Sequence, residues 1–152
     1  MTRVLQLAYW LRRIYQFVWR PINIGVRIML IQEGKVLLVR HVYQRGWFMP
    51  GGGMKRRETL EQAARRECQE EVGVRMDNVE LFGIYFNYTD WKSDHIVLFL
   101  SEVFTVNDTK DSEIAEKKFF PLDALPEALG RGHRRRLQEY GSGERRVRHG
   151  TW

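Results

Sequence analysis

The chain has 152 residues, 43% hydrophobic and 29% charged, which suits one globular domain with a sizeable core and excludes a disordered or fibrous chain. Its single cysteine, Cys68, excludes an intramolecular disulfide and agrees with a reducing, cytoplasmic setting. Twenty-five Lys and Arg against 19 Asp and Glu leave a net charge of +6, which attracts polyanions in general (phosphates, RNA, anionic lipid) without selecting one.

Residues 2–20 read as an amphipathic helix. Gln6, Tyr9, Arg12, Arg13, Gln16 and Arg20 fall on one side, and Val4, Leu7, Trp10, Leu11, Ile14, Phe17 and Val18 on the other, over an arc of about 200°. Arg12 and Arg13 near its middle would cost about 5 kcal/mol in a bilayer, so it does not read as a spanning helix. Arginines and aromatics interrupt the apolar run and no small-residue cleavage site follows, so a signal peptide fits poorly. What remains is an attachment device, docking on its own domain, on a second copy as a homodimer, or peripherally on a membrane surface. Pro21 ends it.

Strands follow at residues 26–31 and 35–42, joined through Gln32-Glu33-Gly34 as a hairpin. Residues 81–88 and 95–106 read as two further strands, the second one long, and residues 113–120 as another, closed by Pro121. A second helix is expected over 126–140, weakened by Gly130 and Gly132, and the basic, glycine-rich residues 141–152 read as a mobile tail. With no repeat and no long linker, the chain divides into an N-terminal helix (1–20), one domain (21–140) and the tail (141–152).

Between the second and third strands lies the stretch Gly51 to Val74, GGGMKRRETLEQAARRECQEEVGV. Thr59 is a candidate N-cap with Glu61 and Gln62 in the first turn, and Gly73 is placed to end the helix in a left-handed turn. Leu60, Ala64, Cys68 and Val72 form an i, i+4 stripe for the core, which reads Cys68 as a small core residue. Glu67, Glu70 and Glu71, at offsets of 0, 3 and 4, share one face of an α-helix. Like charges so placed destabilise a helix, and a cation among them removes that cost. Carboxylate oxygen is a hard donor and suits Mg²⁺ or Mn²⁺ better than zinc. An isolated pair of glutamates is most often only a solvated face, but here the spacing is more specific.

Gly52, five residues, Glu58, seven residues, Arg66-Glu67-Cys68, one residue, Glu70-Glu71, one residue and Gly73-Val74 match every fixed position of the signature G-x5-E-x7-R-E-U-x-E-E-x-G-U, where U is apolar. On these residues the chain resembles the Nudix (MutT-like) hydrolases, tightly across the box and loosely across residues 25–140. The resemblance implies an α+β fold, a mixed β-sheet sandwiched between α-helices. It implies a hydrolase that cuts a diphosphate bond in a nucleoside diphosphate linked to another moiety, with Mg²⁺ or Mn²⁺ as cofactor.

Carried over residue by residue, the resemblance gives Glu67, Glu70 and Glu71 as metal ligands, one of them also a candidate general base. The Gly51 carbonyl is a further ligand, Arg66 and Glu58 a pair bracing loop against helix, and Gly52 a point of close backbone approach. Relatives of this kind also draw a base or ligand from a later loop. Glu113 is the first candidate for that role, with Asp94 and His95 behind it. The box loop departs from the common pattern at Lys55-Arg56-Arg57, where an acid and a glycine are usual, and Lys55 and Arg57 become candidate phosphate contacts. Trp47, Phe48, Tyr85, Phe86, Tyr88 and Trp91 are candidates for a base-stacking face, although each one alone more often packs a core. The segment Tyr88-Thr89-Asp90-Trp91 matches no substrate-subgroup signature, and no nucleic-acid-binding motif is present. The competing expectation is a non-catalytic Nudix-fold module that binds a nucleotide without turning it over.

Overall fold

The computed structural model describes residues 22–89, 92–109, 111–143 and 147–152. The expected N-terminal helix and Trp91 lie outside these described residues.

The first two strands, β1 (Ile22–Gln32) and β2 (Lys35–His41), form a hairpin. Its two turn residues, Glu33 and Gly34, both have positive φ (52° and 70°), the backbone a tight two-residue hairpin turn requires. The box helix α1 (Leu60–Glu67) continues through a π-helical turn, Cys68–Val72. Then come β3 (Val74–Met76), β4 (Glu80–Thr89), β5 (Lys92–Ser101), β6 (Phe104–Val106), β7 (Ile114–Pro121), α2 (Arg131–Gly141) and β8 (Arg148–Thr151). Six strands form one sheet in the order β7-β2-β1-β5-β4-β8, and β3 pairs with β6 in a small second sheet. The large sheet is mixed: β1 runs parallel to β5 and β8 parallel to β4, and the other neighbours are antiparallel.

Strand alternation sends one set of side chains to each face of this sheet. Val26, Ile28, Leu30, Leu37, Val39, Val97 and Phe99 meet Ala63, Ala64, Cys68 and Val72 of the box helix on one face. Met29, Ile31, Val36, Leu38, Leu98 and Leu100 meet Leu137 of α2 on the other. The sheet is therefore sandwiched between helices, and of the stripe that contains Cys68, Ala64, Cys68 and Val72 are buried and Leu60 is half-buried.

The box segment sits inside the sheet. β1 and β2 pair directly only near their turn, at Ile31–Val36 and Gln32–Lys35. Beyond it, residues 48–53 wedge between them: Val26 N donates to Gly52 O (2.9 Å), Ile28 N to Pro50 O (3.0 Å), and Val39 exchanges both backbone bonds with Phe48. Gly51 has a φ of 135° and lies so close to β1 that a Cβ there would run into the Val26 carbonyl. The far end of the box helix is tied down by Lys117 of β7, whose Nζ donates to Val72 O at 3.0 Å, a cation at a helix C-terminus.

Three sequence expectations need correction. The strand expected over 95–106 is two strands, because the Asn78 side chain accepts from Val103 N (3.0 Å) and Ser101 Oγ (3.2 Å) and breaks the ladder after Ser101. The helix expected from residue 126 begins at Arg131, since Gly130 is extended and its N–H goes to Trp47 O (3.2 Å) instead of into a helical turn. The tail expected to be mobile carries β8, which adds a strand to the edge of β4.

Candidate active site

Thr59 caps the box helix in a full capping box: its Oγ1 accepts from Gln62 N (3.2 Å) and its own N–H goes to Gln62 Oε1 (2.8 Å). At the other end Gly73 takes the left-handed conformation, φ 70°, and its N–H closes onto Cys68 O and Gln69 O. Between these caps the acidic residues are delivered to a cavity of about 410 Å³, whose lining includes Glu67, Glu70, Glu71, Asp111 and Glu113. Arg27, Lys55 and Arg66 supply the positive charge around it.

The three box glutamates do not behave as one uniform face. Bonding from i to i+5 across Cys68–Val72 widens the turn, so the α-helical offsets no longer hold through Glu71. Glu67 and Glu70 both lie against Arg66 Nη1, at 2.7 and 3.0 Å. Glu71 instead turns inward and accepts the Gly51 N–H at 2.8 Å. Burial pushes its carboxyl up to about 7, against the pull of that bond and of Arg27. Among the described residues no group of three acidic, histidine or cysteine side chains is gathered around a single ion position, and two of the glutamates lie against Arg66 instead.

Arg66 is the hub of the loop. Its Nε and Nη2 reach the two oxygens of Glu58 at 2.7 and 3.0 Å, a bidentate pair, and Nη2 also donates to Gly53 O (3.1 Å). The Arg66 hydrogen bonds, with the Lys55 N–H behind them, hold the Glu58 carboxyl down to about 2. Gly52 lies directly under Glu67: a Cβ there would stand 2.7 Å from its carboxylate. Lys55 reaches Glu70 at 3.5 Å, whereas Arg57, in a turn with φ 63°, lines neither this cavity nor its neighbour.

The remaining candidates separate. Glu113 stands at the mouth of β7 and faces the cavity, with an oxygen 3.4 Å from the Tyr43 hydroxyl. Asp94 and His95 line a second, adjoining cavity of about 620 Å³ instead. Of the aromatic candidates, Phe48 borders this second cavity, Tyr85 is buried, and Trp47 packs edge-on against Phe120 at 4.7 Å. Phe86 and Tyr88 are exposed on β4.

Two charged residues of the acid-lined cavity escaped the reading of the sequence. Arg27 is a charge inside the apolar run of β1, and its Nη1 donates to Gly51 O at 2.5 Å and Met49 O at 3.3 Å. The carbonyl expected to bind a cation therefore already faces one, and Glu71 and Glu67 partly offset the burial of that guanidinium. Asp111 joins the lining by accepting the Glu113 N–H at 2.6 Å. The only signal for Arg27 was a cation where a core strand has no use for one; Asp111 had none.

A family model described as NUDIX domain matches residues 21–140. An RNA pyrophosphohydrolase of Marinomonas sp. is 43% identical over 65 residues, 43% of this chain and 39% of that protein. The matches span only 31–39% of the length of the curated relatives. Among solved structures, a MutT NUDIX hydrolase from Burkholderia pseudomallei superposes with a TM-score of 0.71 at 22% identity, covering 78% of this chain and 97% of that one. A NUDIX hydrolase from Nitrosomonas europaea superposes at 0.67 with 25% identity, covering 86% of this chain and 78% of that one.

Proposed function

The chain belongs to the Nudix family, and from that premise we propose that it hydrolyses a diphosphate bond in a nucleoside diphosphate joined to another moiety, with a divalent cation as cofactor. The observation that carries this reading is a pair of adjoining cavities. The acid-lined one suits a metal-bridged diphosphate, and the larger one, which shares Arg27, Gln44, Gly52 and Gly53 with it, has room for the attached nucleoside.

The donor set fits Mg²⁺ or Mn²⁺. Five carboxylates line one cavity, all of them hard oxygen donors. Glu71 carries a burial cost that a nearby cation offsets. Glu67, Glu70 and Glu71 would hold the ion, with the Gly51 carbonyl as a further oxygen shared with Arg27. A divalent cation bound there neutralises phosphate charge and acidifies water.

The chain's own groups do the rest. Arg27 fixes a positive charge between the two cavities, and Lys55 adds a charge at the lip for the outer phosphate, whereas Arg57, which lines neither cavity, is left without that role. Water attacks one phosphorus, the bond from it to the bridging oxygen breaks, and the other phosphate leaves with the bonding pair. Glu113 is assigned the water's proton, because it stands apart from the helix and contacts Tyr43 rather than an arginine. Arg66 and Glu58 act by holding the loop, not by touching substrate. Residues 1–20 are assigned to attachment of a cytoplasmic protein, docking on protein rather than on lipid.

The name of the curated relatives adds the phosphorylated end of an RNA to the substrates worth trying, and the +6 charge suits such a polyanion. The test is phosphate or pyrophosphate release with Mg²⁺ or Mn²⁺ from nucleoside triphosphates, nucleotide sugars, dinucleotides and a 5′-triphosphorylated RNA oligonucleotide. Release from at least one class, abolished by chelation, is expected. Tight binding of any of these without turnover would instead favour the non-catalytic nucleotide-binding module.

A further inference from the structure

The second cavity has one wall from beyond the span of the family match, which ends at residue 140. That wall is Trp152. Its backbone N–H donates to Phe86 O at 2.9 Å, continuing the pairing of β8 with β4. Just before it, the Thr151 carbonyl is held by Nη1 of Arg135 (3.4 Å) and Nη1 of Arg136 (3.3 Å). Arg136 is itself buried, stacked over the Tyr85 ring at 3.9 Å and paired with Glu139 at 2.8 Å, so the clamp on β8 is anchored in the core.

The indole then lies on the bare backbone of Gly132 in α2, where any Cβ would collide with its ring. It meets His133 edge-to-face at 4.9 Å, and Phe48 meets the same His133 at 5.5 Å. Trp152 and Phe48 thus both line the cavity, and the indole is only partly buried. The same lining carries hydrogen-bonding groups: Asn87, Lys92, His95 and the Asn23–Asp94 pair, bonded at 2.9 Å. Aromatic rings together with amide, acid and ammonium groups around one cavity are the chemistry that holds a planar heteroaromatic base, by stacking on its face and hydrogen bonds to its edge.

We propose that Trp152 is a base-recognition residue, the surface on which the nucleobase of the substrate stacks, placed there by β8 and the Arg135–Arg136 clamp. This rests on the diphosphate reading of the neighbouring cavity. Trp152 touches the base and not the reacting phosphates, so its loss changes KM and spares kcat.

The experiment compares the full-length wild type with Trp152→Leu, which keeps apolar bulk, Trp152→Phe, which keeps an aromatic face, and Gly132→Ala, which displaces the indole without altering it. Each is assayed with Mg²⁺ on ATP, on GTP and on ribose 5-triphosphate, which has no base. Trp152→Leu and Gly132→Ala are expected to raise KM for the nucleotides about tenfold, the scale of one base–aromatic stack, and to leave KM for ribose 5-triphosphate within about twofold. Trp152→Phe is expected to recover most of the loss. Equal changes with and without a base, or no change, would overturn the proposal. If the wild type hydrolyses none of the three, the hydrolase reading stands or falls on the other substrate classes, and the inference is read separately from calorimetric binding of α,β-methylene ADP. Binding about tenfold weaker in Trp152→Leu supports it. Equal binding, or none by the wild type, overturns it.

Discussion

Glu70 and Glu71 are neighbours in sequence and opposites in environment. Glu70 is exposed beside Arg66 and Lys55, while Glu71 is tucked under the Gly51 amide with its carboxyl raised by burial to about 7. Glu70→Gln removes an ionised ligand at nearly constant size, and we expect about a hundredfold loss of kcat at saturating Mg²⁺ with the thermal midpoint unchanged. An unchanged kcat would remove Glu70 from the metal site. Arg66→Ala acts differently, since it releases Glu58, Glu67, Glu70 and the Gly53 carbonyl together. It should lower both activity and Tm, the latter by a few degrees, as a lost partly buried pair does. A variant with wild-type Tm would show that the brace carries no load. At this scale the box spacing places Arg66 and Glu67 directly, because a helix converts spacing into position, while Glu58 in the loop and Glu70 and Glu71 in the π-helical turn were legible only through the match to the signature. Arg27 and Asp111 reach the cavity from a strand and a loop distant in sequence, and their place depends on how the sheet is assembled.

At the scale of elements, α2 is joined to the wedge by His133, whose Nδ1 accepts the Met49 N–H at 3.2 Å. The ring must therefore carry its proton on Nε2 and stay neutral, since a proton on Nδ1 would face a donor. Burial first, and Arg27 second, hold its pKa down to about 3 from an ordinary 6.5. The unfolded chain takes up this proton as the pH falls through about 6.5, and the folded chain does so only near 3. The His133 contribution to stability is complete above about pH 6.5 and falls by about 1.4 kcal/mol per pH unit below it, until the folded form titrates as well. Glu71, with its carboxyl raised to about 7, contributes with the opposite sign in the same window, so the His133 part is read as the difference between wild type and His133→Asn, which keeps an acceptor but cannot titrate. Between pH 7.5 and pH 5 the wild type should lose urea stability relative to His133→Asn, and an identical pH dependence of the two midpoints would remove His133 as a linked group. The same element scale shows where sequence reading stopped. The capping box, the buried stripe and the hairpin turn are local and were legible. The π-helical turn, the Asn78 break after Ser101 and β8 are set by partners far along the chain. The four residues of β8, Arg-His-Gly-Thr, have no strand pattern of their own and find their conformation on the edge of β4.

Across the described residues, two helices enclose a mixed sheet, and both cavities draw lining from residues 48–53, which separate β1 from β2. Deleting residues 1–20 should leave the proposed hydrolysis intact, while lowering Tm or dissociating a dimer in size-exclusion light scattering. If neither changes and only binding to anionic vesicles is lost, the segment docks on lipid instead. The wedge also makes β1 readable by hydrogen exchange. The amides of Val26 and Ile28 are covered by Gly52 and Pro50, whereas those of Arg27 and Met29, on the opposite edge of the same strand, face β5. Loosening of the box loop without unfolding of the sheet should expose the first pair and spare the second. Alternate residues of one strand would then exchange at two rates, and an added ligand that tightens the loop should slow the Val26 and Ile28 amides alone.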